Sequence, residues 1–301
     1  MKNVILDVDT GIDDAVAICY ACYCKKINLK LITTVVGNTS VKNSTRNTLG
    51  LLELINKNEV KVAEGSHKPI KDGFKINVHG KNGVGEYDFG NISLKPQKQD
   101  AVQEMYNLLK DSNEKYTIIC LGPVTNLAKL LKTHPKIEEK IETVVISGGL
   151  IENLKKGDMP YISFNIGFDR EAMEIVLRSN IKKIICPSNN GHEAYFSYRD
   201  IVRIKNTNKT GKVFEFMFRS YTDQHVDKGV ATHDLCAVLS YAYPEIFENK
   251  HCKVKLDYFK ELGTSVLNFD FNNKPGNIVV ATQINIKKAK RIFFSALRKM
   301  P

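Results

Sequence analysis

The sequence predicts an α/β fold: a single domain with a mostly parallel central sheet, helices on both faces and a small antiparallel C-terminal portion. Three observations predict it. Short, nearly continuous apolar runs alternate with helical patterns from the N-terminus onward, as strands buried between covering helices do. Four of those runs end in small or polar residues, which is how strand ends line one crevice in such a sheet. The chain of 301 residues carries no internal repeat, low-complexity segment or linker, so one domain over residues 1–301 is expected.

Residues 3–8 read as the first strand, 13–25 as a helix, 29–36 as the second strand and 42–57 as a second helix. Apolar runs at 60–63, 116–121, 142–147 and 182–186 continue the strands. Helical patterns fall at 97–111, 124–132, 170–179 and 211–226. The stretch from about 252 to 284 reads as a few antiparallel strands, followed by a closing helix near 286–298. The polar strand ends are Asp7 to Asp14, Gly37-Asn38, Gly122-Pro123 and Gly148-Gly149.

Composition excludes several classes. No stretch approaches the roughly 18 consecutive apolar residues of a membrane span. The run Val4-Ile5-Leu6 is too short for a signal peptide, so a cytoplasmic protein with no membrane partner is expected. The seven cysteines are an odd number and mostly sit in apolar surroundings, as Cys19, Cys120, Cys186 and Cys236 do, which suits reduced thiols. Cys19, Cys22 and Cys24 lack a second Cys/His pair at zinc-site spacing and read as helix thiols. The net charge of +11 comes from dispersed lysines, with short runs such as Lys287-Lys288-Ala289-Lys290-Arg291 and no nucleic-acid motif, so a solvated basic surface and no nucleic-acid partner are expected.

The chemistry concentrates in VILDVDTGIDDA, residues 4–15, where Asp7, Asp9, Asp13 and Asp14 follow an apolar strand. Alternation puts Asp7 and Asp9 on one side of that strand, Gly11 permits a turn, and Asp13-Asp14 open the next helix. A helix N-terminus favours a carboxylate by about 0.3–1 kcal/mol, which accounts for one or two of the four. A hard divalent cation with carboxylate ligands offsets the remaining repulsion.

Two enzyme classes open this way. Asp7-Val8-Asp9-Thr10 fits the start of haloacid-dehalogenase-type phosphatases, but their motif requires neither Gly11 nor Asp13-Asp14, and the chain lacks their late acidic pair. The whole run Asp7 to Ala15 instead resembles the nucleoside hydrolase family, most of all the inosine–uridine-preferring type. VVGN at 35–38, HGKNGVG at 79–85, LGPVTNLA at 121–128, ISGG at 146–149, FNIGFDREA at 164–172 and THDLCAVL at 232–239 resemble further motifs in family order. Matches span about 1–240, and the last 60 residues match weakly.

The resemblance implies Ca²⁺-dependent cleavage of the N-glycosidic bond of ribonucleosides to ribose and free base, in salvage. It implies Ca²⁺ held by Asp9, Asp14, Asp234 and the Leu121 carbonyl, with Asp9 taking the proton of the metal-bound water that attacks C1′. Asp13, Asn38 and Asn165 would grip ribose hydroxyls, His233 would assist the leaving base, and His79 would lie in a base pocket on a loop. A histidine packed beside a metal ligand, or exposed on a loop, reads the same in sequence. Tyr221 and His225 are the candidates for base contacts, while His67, His134, His192 and His251 read as ordinary histidines. Relatives are usually homodimers or homotetramers.

The pattern departs from the family in two places. Ser163 stands where a glutamate usually precedes Phe-Asn, leaving a hydroxyl for the sugar. NLKKGDMPYI at 153–162 replaces a segment that normally supplies an asparagine to the 5′ side, with Asp158 or Asn153 as substitutes and Lys155 and Lys156 suggesting an anionic 5′ substituent. A non-catalytic nucleoside- or ribose-binding relative is the alternative from another class. Purine and pyrimidine preference stay open.

Overall fold

The computed structural model describes residues 1–71, 79–151, 155–156, 159–160, 163–221, 226–259, 264–272 and 276–301. The chain begins with β1 (Lys2–Val8), α1 (Ile12–Tyr23), β2 (Ile27–Thr34), α2 (Val41–Leu54) and β3 (Lys61–Glu64). Next come α3 (Ala101–Lys110), β4 (Tyr116–Cys120), α4 (Thr125–Thr133) and β5 (Ile141–Ser147). The short strands β6 (Lys155–Lys156) and β7 (Met159–Pro160) precede α5 (Phe164–Phe168), α6 (Arg170–Arg178) and β8 (Lys182–Cys186). Four helices follow: α7 (Ser188–Glu193), α8 (Tyr198–Lys205), α9 (Lys209–Arg219) and α10 (His233–Ala242). The chain closes with β9 (Phe247–His251), β10 (Lys253–Phe259), β11 (Thr264–Asp270), β12 (Ile278–Ile284) and α11 (Ile286–Leu297).

Eight strands form the main sheet in the order β3-β2-β1-β4-β5-β8-β12-β9. All neighbours are parallel except β9 on β12. Alternation along β1 sorts its side chains between two cores: Val4, Leu6 and Val8 join α1, α9, α10 and α11, whereas Ile5 joins α3, α4 and α6. Both faces are therefore covered, and each large apolar side chain so buried contributes about 1.5–3 kcal/mol. Among the described residues no helix is long and apolar enough to cross a membrane, and all seven cysteines are free.

The observed elements differ from the sequence expectation in ways that have local causes. The third helix starts at Ala101 because Asp100 caps it, accepting from the Gln103 N–H at 2.9 Å, while Gln97 still donates to the β3 carbonyl of Val62 at 2.7 Å. The helix placed over 211–226 stops at Arg219, and Ser220 turns its hydroxyl back onto the Phe216 carbonyl. β10 and β11 make the expected antiparallel hairpin, but β12 leaves that region and joins the main sheet parallel to β8. The helices α7 and α8 were not predicted: α7 has no apolar residue, and α8, which does bury Ile201 and Ile204 on one face, is only eight residues long.

Strand order reverses direction at β1: the chain winds outward through β2 and β3 on one side, and through β4, β5 and β8 on the other. The crevice beyond the carboxyl ends of β1 and β4 is the topological switch point, where open α/β sheets bind ligands. Asp9 and Leu121 follow those two strand ends.

Candidate active site

β1 and α1 deliver the aspartates. Asp7, the last acid within the strand, is buried and accepts from the Thr33 hydroxyl at 2.6 Å and the Asn126 amide at 2.8 Å. The Asn126 amide also donates to the Thr34 carbonyl, and its oxygen accepts from the Ser66 N–H. Asp7 thus ties three strand ends together, and burial pushes its carboxyl up to about 7 against those two hydrogen bonds. Asp9 lies past the strand end with Oδ2 accepting from the Asn38 N–H at 2.7 Å. A β-carbon at Gly37 would sit 2.0 Å from that Oδ2, and one at Gly122 2.9 Å from Asp9 Oδ1, so both strand ends must be glycine to approach so closely.

Asp13 and Asp14 occupy the first turn of α1. Asp14 Oδ2 accepts from the Gly11 N–H at 2.8 Å and the Asn38 amide at 3.5 Å. Asp234, in the first turn of α10, accepts from the Ser147 hydroxyl at 2.8 Å. Carboxylate oxygens of Asp13, Asp14 and Asp234 lie within 4.8 Å of one another. Asp9 raises the Asp234 carboxyl electrostatically, and is itself raised by Asp14 and Asp13.

This arrangement is costly as it stands. Burial and the neighbouring carboxylates hold Asp9 and Asp234 well above the usual carboxylate range, and bring Asp14 to about 7. Oδ1 of Asp9, Asp13 and Asp14 is buried in each case with no hydrogen-bond partner. Among the described residues no ion pair reaches any of the four. Buried, unpaired carboxylates of this kind need protons or a cation. Hard oxygen donors suit Ca²⁺ or Mg²⁺.

The remaining candidates surround the cluster. The Asn165 amide donates to the Leu121 carbonyl and, at 3.1 Å, to the Ser147 carbonyl, so α5 is pinned between the ends of β4 and β5. The Ser163 hydroxyl accepts from the Gly149 N–H at 2.8 Å, which turns it toward the backbone after β5. His79 Nδ1 accepts from the Ile12 N–H at 3.1 Å, and its ring lies 5.1 Å from that of Tyr221. Gly80, Gly83 and Gly85 all have positive φ in the loop that carries His79, which explains the glycine spacing there. His233 begins α10 and feels both Asp13 and His79. Burial lowers its pKa, with Asp13 and the Ser188 carbonyl opposing. Asp158 and His225 lie outside the described residues.

Sequence reasoning left several supporting residues without a role. Asn126, Ser147 and Gly122 stood inside quoted motifs, yet only the structure gives them partners. His192 read as an ordinary exposed histidine, but its ring meets that of His233 edge-on with centroids 4.8 Å apart. Gly191 lets α7 press against His233, where a β-carbon would sit 2.2 Å from Nδ1. Nothing in the sequence signalled that contact.

Comparison with known proteins agrees with the geometry. The family described as inosine-uridine preferring nucleoside hydrolase matches residues 4–291. The non-specific ribonucleoside hydrolase RihC of Escherichia fergusonii is 35% identical over 290 residues, covering 94% of each chain. A purine-preferring ribonucleoside hydrolase from Gardnerella vaginalis superposes with a TM-score of 0.88 at 26% identity, over 99% of this chain and 98% of that one. An inosine-guanosine nucleoside hydrolase, at 21% identity, shares the fold with a TM-score of 0.90 over the whole of both chains. With a family match over nearly its entire length and a relative of this identity and coverage, the chain belongs to the inosine-uridine preferring nucleoside hydrolases, enzymes of the N-glycosidase type.

Proposed function

We propose that the protein hydrolyses ribonucleosides to ribose and free base with Ca²⁺ held by Asp9, Asp14, Asp234 and the Leu121 carbonyl. The observation that carries the metal part is the set of buried, unpartnered carboxylate oxygens at the sheet's switch point. When bound, such a cation compensates the carboxylate charge and acidifies a water it carries. Asp9, fixed by the Asn38 N–H through Oδ2, keeps Oδ1 available to accept a proton from the attacking water. Asp13 lies with Asp14 and Asp234 in the tight carboxylate group, so the sugar hydroxyl it grips enters the cation's own pocket. Asn38 and Asn165 supply the further ribose contacts, and Ser163 and Asp158 are the candidates for the 5′ side of the sugar. His79 and Tyr221, whose rings lie 5.1 Å apart, contact the base, with His225 as a further candidate. Cytoplasmic nucleoside salvage by a homodimer or homotetramer is the setting that goes with this reading.

Hydroxyl anchors of this kind are unforgiving of a missing hydroxyl, because the buried groups lose their partners. Ribonucleosides are therefore expected to be cleaved at least about 10²-fold more efficiently than their 2′-deoxy counterparts. Chromatography of the released base measures this, and equal rates would mean that none of Asp13, Asn38 and Asn165 grips the 2′-hydroxyl. A nucleoside bound tightly but never cleaved would favour the non-catalytic reading.

His233 is proposed to give a proton to the departing base. His233→Ala should lower kcat on inosine by about 10²–10⁴-fold. It should barely change cleavage of 4-nitrophenyl riboside, whose leaving group departs unprotonated. Equal losses on both substrates would make His233 a packing residue.

A further inference from the structure

A second charged concentration lies away from the aspartates, between α8 and α11. Arg203, Lys287, Lys290, Arg291 and Arg298 line a groove of about 360 Å³ with one carboxylate, Asp200, and the ring of Phe294. Asp200 is already engaged: its Oδ2 accepts from Lys290 Nζ at 2.6 Å and from the Ser197 hydroxyl at 2.7 Å. Arg203 is held with its guanidinium 4.0 Å from the centre of the Phe294 ring. Lys287, Arg291 and Arg298 are exposed, and no acidic partner reaches them among the described residues.

Helix physics works against this pattern. Lys287 and Arg291 are like charges four residues apart, a spacing that costs a helix a few tenths of a kcal/mol. The first turn of α11 holds Lys287 and Lys288 and no acid, the unfavourable sign for the helix dipole. An anion in the groove would reverse both effects. Three guanidinium groups present planar, paired donors of the geometry that phosphate oxygens accept. The volume is that of a small-ligand site and too small for a duplex.

We propose that this groove binds a polyphosphate chain, supplied either by a nucleoside triphosphate or by inorganic triphosphate. Calorimetric titration of the full-length protein tests it, using ATP and inorganic tripolyphosphate separately at low salt. Divalent ions are first removed by dialysis, so that the aspartate cluster cannot recruit phosphate through a bound cation. Both probes are expected to bind, with affinity falling steeply as salt rises. Arg291→Ser with Arg298→Ser should weaken both by about tenfold or more, at unchanged nucleoside hydrolysis. Lys287→Ser with Arg291→Ser is the second pair, since Arg298 closes α11 and its loss could loosen the helix end. A stronger response to ATP than to tripolyphosphate would identify the nucleotide as the source, and equal responses the bare chain. No binding by either probe, binding that both variant pairs retain, or tighter binding of a single-stranded oligoribonucleotide than of either probe would overturn the proposal.

Discussion

Replacing Asp9 with alanine is expected to lower ribonucleoside hydrolysis by at least about 10³-fold, because the change removes a proton acceptor and a cation ligand together. The fold should survive it. Asp9 is completely buried, and burial together with Asp14 and Asp13 disfavours its charged form. Removing it spares the fold the burial of one crowded carboxyl, which offsets the lost hydrogen bond from Asn38 and the small cavity beside Gly37 and Gly122. The metal-free variant should thus melt close to the metal-free wild type, while the gain in Tm on adding Ca²⁺ shrinks or vanishes. Steady-state kinetics and thermal melts on one preparation separate these effects. Catalysis within tenfold of wild type would remove Asp9 from the mechanism.

The second large effect is a pH-dependent response to calcium. Asp14 is raised to about 7 by burial and by Asp13, and Asp9 and Asp234 are raised too. Unfolded, each would titrate near its ordinary value of 3.8. Between those limits the folded metal-free protein binds more protons than the unfolded chain, so it loses stability as pH rises from about 4 toward 7. Calcium displaces those protons and binds better as pH rises. The calcium-induced gain in Tm should therefore be larger at pH 8 than at pH 5. At about 100 to 1,000 times Kd the stabilisation is about 3–4 kcal/mol, worth several degrees for a chain of this size. Melts in EGTA and in calcium at the two pH values measure it. A gain that is equal at both, or greater at pH 5, would contradict a carboxylate cage.

Much of this is legible in the sequence because parallel strands buried on both faces announce themselves as apolar runs. The residues after Val8, Thr34, Cys120 and Ser147 then had to share one crevice. Other features depend on partners far along the chain. Alternation placed Asp7 and Asp9 on one side, but assigning Asp7 to scaffolding needed Thr33 and Asn126, the latter 119 residues away. The strand β12, IVVATQI, opens on a continuous apolar run where β10, KVKLDYF, alternates, yet its nearness to the hairpin grouped it with the antiparallel strands, and only pairing with β8 places it in the main sheet. The helix α7 reads SNNGHE, without an apolar face; it is held instead by the Asn190 amide on the Ala281 carbonyl at 2.7 Å. The contact between His192 and His233 follows from that placement and from nothing local.

At the centre stands the proposal that the buried aspartates at the end of β1 form a calcium site at which ribonucleosides are cleaved. Ribose release from inosine and uridine tests it most directly, with wild-type protein first as prepared, then after exhaustive removal of metal by EGTA, then after calcium is restored. Hydrolysis is expected to be lost with the metal and recovered with calcium. A correctly folded, calcium-loaded protein that releases no ribose from either nucleoside, or one that cleaves them equally after complete removal of metal, would contradict it.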